Sequence, residues 1–243
     1  MTSRRIEVPA DSRYFAGHFP GHPILPGIAH LVLAQESLPA GIVEVRTLKL
    51  RKPVGPGDVL DLSLSSEDGT ARFDLRRGEE LVSQGVVGIG NVGAGFTPAR
   101  EGASPSPASE LASLVPHAPP ALLVRQLLES SEEGATCLVE IPAANPFIAD
   151  GRAPAFVGLE AAAQTAAVLE ALERHDAPRP RLGYLVGIRD ARFAHPWLPA
   201  AHPLRATVRL AGSAPPLSIY DVRIDLDGSP VVTGTISTYI AAS

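Results

Sequence analysis

The sequence predicts an α+β protein built as two repeats of one plan, and three observations predict it. Residues 97–110, TPAREGASPSPASE, are small, polar and proline-rich, lack apolar periodicity and read as a linker. On each side of this stretch a Gly/Pro-rich loop leads into an apolar helical segment. On each side strand-like runs complete the half. An antiparallel sheet wrapped around a buried helix satisfies that order. The expected units are 1–96 and 111–243.

In the first half the loop is GHFPGHPILPG and the helical segment is IAHLVLAQESL. Ile28, Leu31, Val32 and Gln35 keep the three- and four-residue spacings of one helical face. Leu33 and Ala34 cover the other side, so this helix is apolar nearly all round and belongs in a core. The strand-like runs VEVRTLKLRKPV, DVLDLSLSS, TARFDLRR and EELVSQGVVGIG follow, with PVGPGD as a turn between the first two. The second half opens with VPHAPPALLVRQLLES and the strand-like ATCLVEIPA. The loop NPFIADGRAPA and the helix FVGLEAAAQTAAVLEALERH come next. LGYLVGIRDARFAHPWLP answers the first half's LKLRKPVGPGD, and two β-rich segments finish the chain. In the last of them DGS, between apolar runs, reads as a hairpin turn.

Composition bounds the function. Of 243 residues, 45% are apolar and 19% charged, which fills a sizeable core and does not describe a disordered chain. The formal net charge of -5 argues against a nucleic-acid binder that works by phosphate neutralisation. The single cysteine, Cys137, excludes an internal disulfide framework. The N-terminal MTSRRIEVPADSRYF lacks a signal-peptide core, and no run approaches the ~18–20 apolar residues of a membrane span. The expectation is a cytoplasmic protein that binds neither membrane nor nucleic acid.

One string carries more than a fold. His18-Phe19-Pro20-Gly21-His22-Pro23-Ile24-Leu25-Pro26-Gly27 resembles the signature loop of the β-hydroxyacyl-acyl-carrier-protein dehydratases, which have the hot-dog fold. The continuation to Leu31 is similar to the branch of aryl polyene pathways, and LKLRKPVGPGDVLDLSL resembles a strand pair of the same family. In the second half Leu114–Val124 resembles the family's opening segment. Pro154–Glu160 with Gln164 resembles its central-helix entry, and Leu182–Phe193 the strand that follows. The resemblance implies a double hot-dog, two antiparallel sheets each around a long central helix, forming an internal pseudo-dimer.

The family's reaction fixes which groups to look for. Dehydration of a 3-hydroxyacyl thioester needs a base for the proton alpha to the carbonyl, and histidine suits this near neutrality. It needs assistance to the leaving hydroxyl, for which a carboxyl group serves. It needs a donor for the thioester oxygen, such as a backbone N–H at a helix start. In the family the histidine opens the HFPG loop and the acid lies fourteen positions later, the pair being formed across two subunits. Fourteen positions after His18 stands Val32, and fourteen before Glu160 stands Pro146. The first half keeps the base and lacks the acid, and the second keeps the acid and lacks the base. Paired halves therefore give one composite site, His18 with Glu160, and a dead crossing of Val32 with Pro146. Gly27 and Ala155 occupy corresponding helix starts and are the candidate oxyanion donors. Gln164, one turn beyond Glu160, either orients the carboxylate or caps a loop.

Other residues read more plainly. A glutamate inside GLEAAAQTAA is unusual because burial of a charge is costly, although a helix face at the surface or a structural hydrogen bond would also account for it. His18, His22 and His30 do not have a zinc spacing, so no metal is expected, and His30 should face the interface or the tunnel. His117 is expected to pack structurally, and Cys137 to be a buried small apolar residue. Arg179, Arg181, Arg189 and Arg192 are either a docking patch for an acidic carrier protein or solvated surface.

The resemblance thus implies a 3-hydroxyacyl-[acyl-carrier-protein] dehydratase making trans-2-enoyl thioesters for fatty acid or aryl polyene and polyketide-type biosynthesis, without a cofactor. Its partner would be an acyl carrier protein bearing the substrate, and assembly beyond the pseudo-dimer stays open. Two alternatives remain: a non-catalytic degenerate hot-dog that binds acyl chains or stabilises a partner dehydratase, and a hot-dog hydratase or thioesterase.

Overall fold

A computed structural model of the chain describes residues 2–91, 109–173 and 181–241. The elements in order are β1 (Thr2–Glu7), α1 (Ala29–Gln35), β2 (Gly41–Leu50), β3 (Val59–Glu67), β4 (Thr70–Arg77), β5 (Glu80–Gly90), α2 (Ser109–Ala112), β6 (Val124–Ser131), β7 (Gly134–Val139), β8 (Arg152–Pro154), α3 (Val157–Glu173), β9 (Gly183–Phe193), β10 (Trp197–Pro199), β11 (Leu204–Ala214), β12 (Leu217–Leu226) and β13 (Ser229–Ile240). Apart from Ser109 and Glu110, the linker expected at 97–110 lies outside the described residues, as does Arg179.

Eleven strands form one antiparallel sheet in the order β1-β3-β4-β5-β2-β9-β13-β12-β11-β7-β6. The first half supplies the first five and the second half the other six. They join where β2 pairs with β9, with Glu44 opposite Arg192 and Leu48 opposite Ile188. This is the double hot-dog arrangement. Alternation on the strands sets which face is inside: Leu60, Leu62 and Leu64 of β3 and Ala71, Phe73 and Leu75 of β4 are buried. Asp227 and Gly228, with φ of 51° and 78°, make the tight β12–β13 turn expected from DGS.

The second central helix, α3, is rich in alanine and leucine, the residues that lose least on entering a helix. Val157, Leu159, Ala161, Ala162, Ala166, Val168 and Leu169 are buried on several sides of it, which makes it a core helix rather than a surface one. Gly158 lets it approach the sheet, since a Cβ there would lie 3.0 Å from Val232 and 3.1 Å from Ile224. That proximity offsets the roughly 1 kcal/mol that glycine costs inside a helix.

The first half departs from expectation. Its helix has only seven residues, although Ile28, Ala29, Leu31, Leu33 and Ala34 are buried as the pattern requires. The chain continues in turns through Leu38, whose N–H donates to Gln35, and Pro39 then stops it because proline disfavours helical backbone before it. Strand β1 has no counterpart among the expected elements. It is an edge strand with one buried side chain, Ile6, so its sequence shows little alternation. The short β8–β10 pair was likewise invisible to periodicity. Among the described residues no helix is long and apolar enough to cross a membrane.

Candidate active site

The loop bearing His18 is seated on the second half by its backbone. Gly17 has φ of 78°, and its carbonyl accepts the Ala118 N–H at 3.0 Å. A Cβ at Gly17 would run into the Ala118 carbonyl oxygen, so both the conformation and the approach require glycine. The loop closes on itself beyond this point. The Ile24 N–H donates to the His18 carbonyl at 2.9 Å, and His18 Nδ1 lies 2.8 Å from the Ile24 carbonyl oxygen. A carbonyl only accepts, so Nδ1 carries the hydrogen and the neutral ring keeps its lone pair on Nε2. Burial lowers the pKa of His18 to about 4, against the opposing pull of Glu160 and with the help of His117. At neutral pH His18 is an uncharged base.

Glu160 stands in the first turn of α3 and is 7% exposed. Gln164, one turn on, ties three groups together. Its Nε2 donates to Glu160 Oε1 at 3.2 Å and to the Ala121 carbonyl at 2.9 Å, and its Oε1 accepts the Leu123 N–H at 2.8 Å. It therefore orients the carboxylate and holds the neighbouring segment at once. His117 Nε2 lies 3.2 Å from Glu160 Oε1. The alignment is not that of a hydrogen bond, and neither ring nitrogen of His117 has a hydrogen-bond partner among the described residues. Burial works against ionisation of Glu160, but His117, His18 and Gln164 outweigh it and hold the carboxyl well below the usual carboxylate range. One nitrogen or oxygen from each of His18, His117 and Glu160 lies within 4.8 Å of the others. That spacing suffices for a shared proton network or a single cation. The His117 ring is held edge-on to His18 and to Phe19, at centroid distances of 5.1 and 4.8 Å.

These three side chains line a cavity of about 320 Å³. Glu160, Ala163, Ala167 and Glu170 line it from a single face of α3, a run of about 15 Å at 1.5 Å per residue. Leu25, Leu50 and Leu185 make apolar walls, while Arg51 and Lys52, both exposed, stand at its border. His30 lines the cavity too, fully buried, with Nδ1 2.8 Å from Ser83 Oγ and its pKa lowered by burial to about 4. An apolar slot with a few convergent polar groups is the form of a small-molecule site.

His18, Glu160, Gln164 and Gly27 are thus brought together. Gly27 lines the cavity just before α1, and its N–H makes no hydrogen bond among the described residues. Ala155 corrects the expectation of an oxyanion donor there. Its N–H donates to the Pro196 carbonyl at 2.9 Å, so it has no proton left for a ligand. Val32 packs against the core, and Pro146 borders a small cavity beside His18 and Glu160. His22 is exposed and stands apart from this cavity's lining. Cys137 is wholly buried, and burial raises its thiol pKa to about 11. Arg181, Arg189 and Arg192 are exposed. His117, expected to be structural, is the residue that sequence reasoning missed. It lies 43 positions before Glu160, where no helical or strand spacing could relate the two, and the one signal was its place in the VPHAPP segment.

Comparison with known proteins finds two family matches along the chain. The ApeP-like family, described as ApeP dehydratase, matches residues 109–242, and the ApeI-like family, described as ApeI dehydratase, matches residues 2–86. The 3-hydroxyacyl-[acyl-carrier-protein] dehydratase FabZ of Wolbachia sp. subsp. Drosophila simulans is 44% identical over 62 residues, 20% of this chain and 43% of that protein. FabZ of Syntrophotalea carbinolica is 31% identical over 99 residues, 35% of this chain and 67% of that protein. The chain thus spans 43% to 67% of the length of these curated relatives. The dehydratase heterocomplex ApeI:P from Xenorhabdus doucetiae is 26% identical, with a TM-score of 0.50 over 55% of this chain and 91% of that one. The dehydratase domain of PpsC from Mycobacterium tuberculosis, at 16% identity, shares the fold over 99% of this chain and 93% of its own, with a TM-score of 0.69.

Proposed function

We propose a function from the premise that this chain belongs to the ApeP-like dehydratase family, with an ApeI-like part ahead of it in the same polypeptide. The chain dehydrates 3-hydroxyacyl thioesters to trans-2-enoyl thioesters, with the acyl group carried by an acyl carrier protein, in fatty acid or aryl polyene and polyketide-type biosynthesis. Units 1–96 and 111–243, joined by the linker, make one composite site. The observation that carries this reading is the meeting of His18 from one half with Glu160 from the other, their donor atoms within 4.8 Å, in an apolar slot. That distance is within the reach of one bridging water.

The roles follow from the local chemistry. His18 Nε2, uncharged and bare, takes the proton from C2. The Gly27 N–H holds the thioester oxygen while negative charge develops there. Glu160, oriented by Gln164, faces the 3-hydroxyl and assists its departure. The C2–H and C3–O bonds break, the C2=C3 bond forms and water leaves, so no electrons need an external acceptor. The acyl chain lies along the Ala163–Ala167 face of α3.

Carrier-bound 3-hydroxyacyl thioesters of several chain types, incubated with the protein and followed by mass spectrometry, should lose the mass of water. His18→Ala and Glu160→Gln should each abolish that loss. Intact substrate after incubation with the wild-type protein favours the non-catalytic reading, turnover that survives both substitutions overturns the His18–Glu160 site, and release of the free acid would indicate a thioesterase.

A further inference from the structure

We propose that His117 is a third catalytic residue, which gives the departing 3-hydroxyl its proton and recovers it through the Glu160 carboxylate beside it. This rests on the dehydration reading above and adds to it the source of the acid proton.

Four observations carry it. The His117 ring lines the cavity in which His18 and Glu160 meet. Both of its nitrogens are buried and lack a hydrogen-bond partner among the described residues. Leaving a buried polar group so is costly, and each such exception in a folded protein calls for an explanation, a catalytic role among them. The ring is fixed rather than loose: Phe19 and His18 meet its edges, and the Ala118 N–H beside it is bonded to Gly17. Finally, Nε2 stands 3.2 Å from Glu160 Oε1, near enough that a small rotation of either side chain lets a hydrogen pass between them.

Proton counting gives the role its place. The elimination removes one proton from C2 and adds one to the hydroxyl oxygen. His18 receives the first. Glu160 sits between two imidazoles and the Gln164 amide, which favour its ionised form, and an ionised carboxylate alone has no proton to give. With His117 the pair holds one. In the step, the C2–H electron pair becomes C2=C3, the C3–O pair leaves with the oxygen, and that oxygen takes the hydrogen from His117 and departs as water. His18 then bears the C2 proton, and Glu160, within 4.8 Å of both rings, passes it back to His117. The cycle closes with each group in its starting state.

The test compares two leaving groups. Carrier-bound 3-hydroxyacyl thioester needs a proton to release water, whereas its 3-chloro analogue releases chloride without one. His117→Gln should slow dehydration roughly 100-fold or more, the scale of a lost general acid. It should leave chloride elimination near the wild-type rate, while His18→Ala stops both. His117→Phe, which keeps the edge packing and removes every proton, should behave as His117→Gln does, and thermal melts of both variants check their folding. Equal slowing of both substrates, or slowing of neither, overturns the proposal. A wild-type protein that releases chloride but never water overturns the dehydration reading itself and is thereby told apart from failure of the His117 role.

Discussion

The two halves repeat one plan and use it in opposite ways. In the first half the loop is chemical and the helix structural: His18 sits on residues 18–27, while α1 has seven residues and offers only Val32 at the corresponding helical position. In the second half the helix is chemical and the loop structural. The seventeen-residue α3 carries Glu160 and Gln164, while Phe147 of the loop packs on Tyr14 with ring centroids 5.0 Å apart. Each group is also held by its own half, His18 by Ile24 and Glu160 by Gln164 with His117 beside it. What crosses between halves at the site is a backbone bond, Ala118 N–H to Gly17, together with ring contacts of His117 to His18 and Phe19 and of Phe147 to Tyr14. On the proposed roles, fusion supplies position, while each repeat prepares its own acid–base group.

Breaking either member of the cross-pair should have the largest effect. His18→Ala and Glu160→Gln should each lower kcat for carrier-bound substrate by roughly 10²–10⁴-fold, whereas Pro146→Ala and Val32→Ala, at the matching positions of the opposite half, should leave turnover near wild type. Equal losses from all four would mean that the halves are not divided in this way.

Acid should act next. His18 and His30 both have folded pKa values lowered by burial from 6.5 to about 4. Above 6.5 each is neutral folded and unfolded, and its contribution to stability is complete. As the pH falls from 6.5 to 4 the unfolded chain takes up protons that the folded chain refuses, so stability drops, by up to about 3 kcal/mol per residue, and the loss levels off below 4. Urea melts between pH 4 and 7.5 check this, and His30→Asn should flatten the slope. The acid limb of kcat/KM should likewise fall near pH 4 rather than 6.5.

The backbone seam between halves comes third. Gly17→Ala should cost about 1–3 kcal/mol, combining a strained positive φ with displacement of the 18–27 loop from Ala118, and it should lower activity along with the melting temperature. Gln164→Leu is expected to be similar or smaller, about 1–3 kcal/mol, because it leaves the Leu123 N–H and the Ala121 carbonyl unpaired. It should lower kcat more than it raises KM, since it misorients Glu160 without touching the apolar slot.

The strands with clear alternation were legible because burial of one face writes a period of two into the sequence; β3, β4 and the β12–β13 hairpin are the plain cases. α3 was legible because a helix buried on several sides has a long apolar run. The edge strand β1 was not, since only Ile6 is buried on it. The length of α1 was misread because apolar spacing does not report where a helix stops. Of the site, His18, Glu160, Gln164 and Gly27 stood at positions that the family resemblance marks, whereas Ala155 shared that mark but had its N–H committed to Pro196. His117 stood inside the Leu114–Val124 segment that resembles the family's opening, where nothing set it apart from a packing residue.

By itself, then, the sequence determined the two repeats and the antiparallel sheet, because periodicity along the chain is a local property, while the split of base and acid between halves is what the family resemblance implies. The tertiary structure alone decided that Gly17 and Ala118 meet, that the Ala155 N–H is occupied, and that His117 comes to stand beside Glu160. These depend on which backbone groups meet when residues far apart in the chain pack together, and no spacing along the chain encodes that.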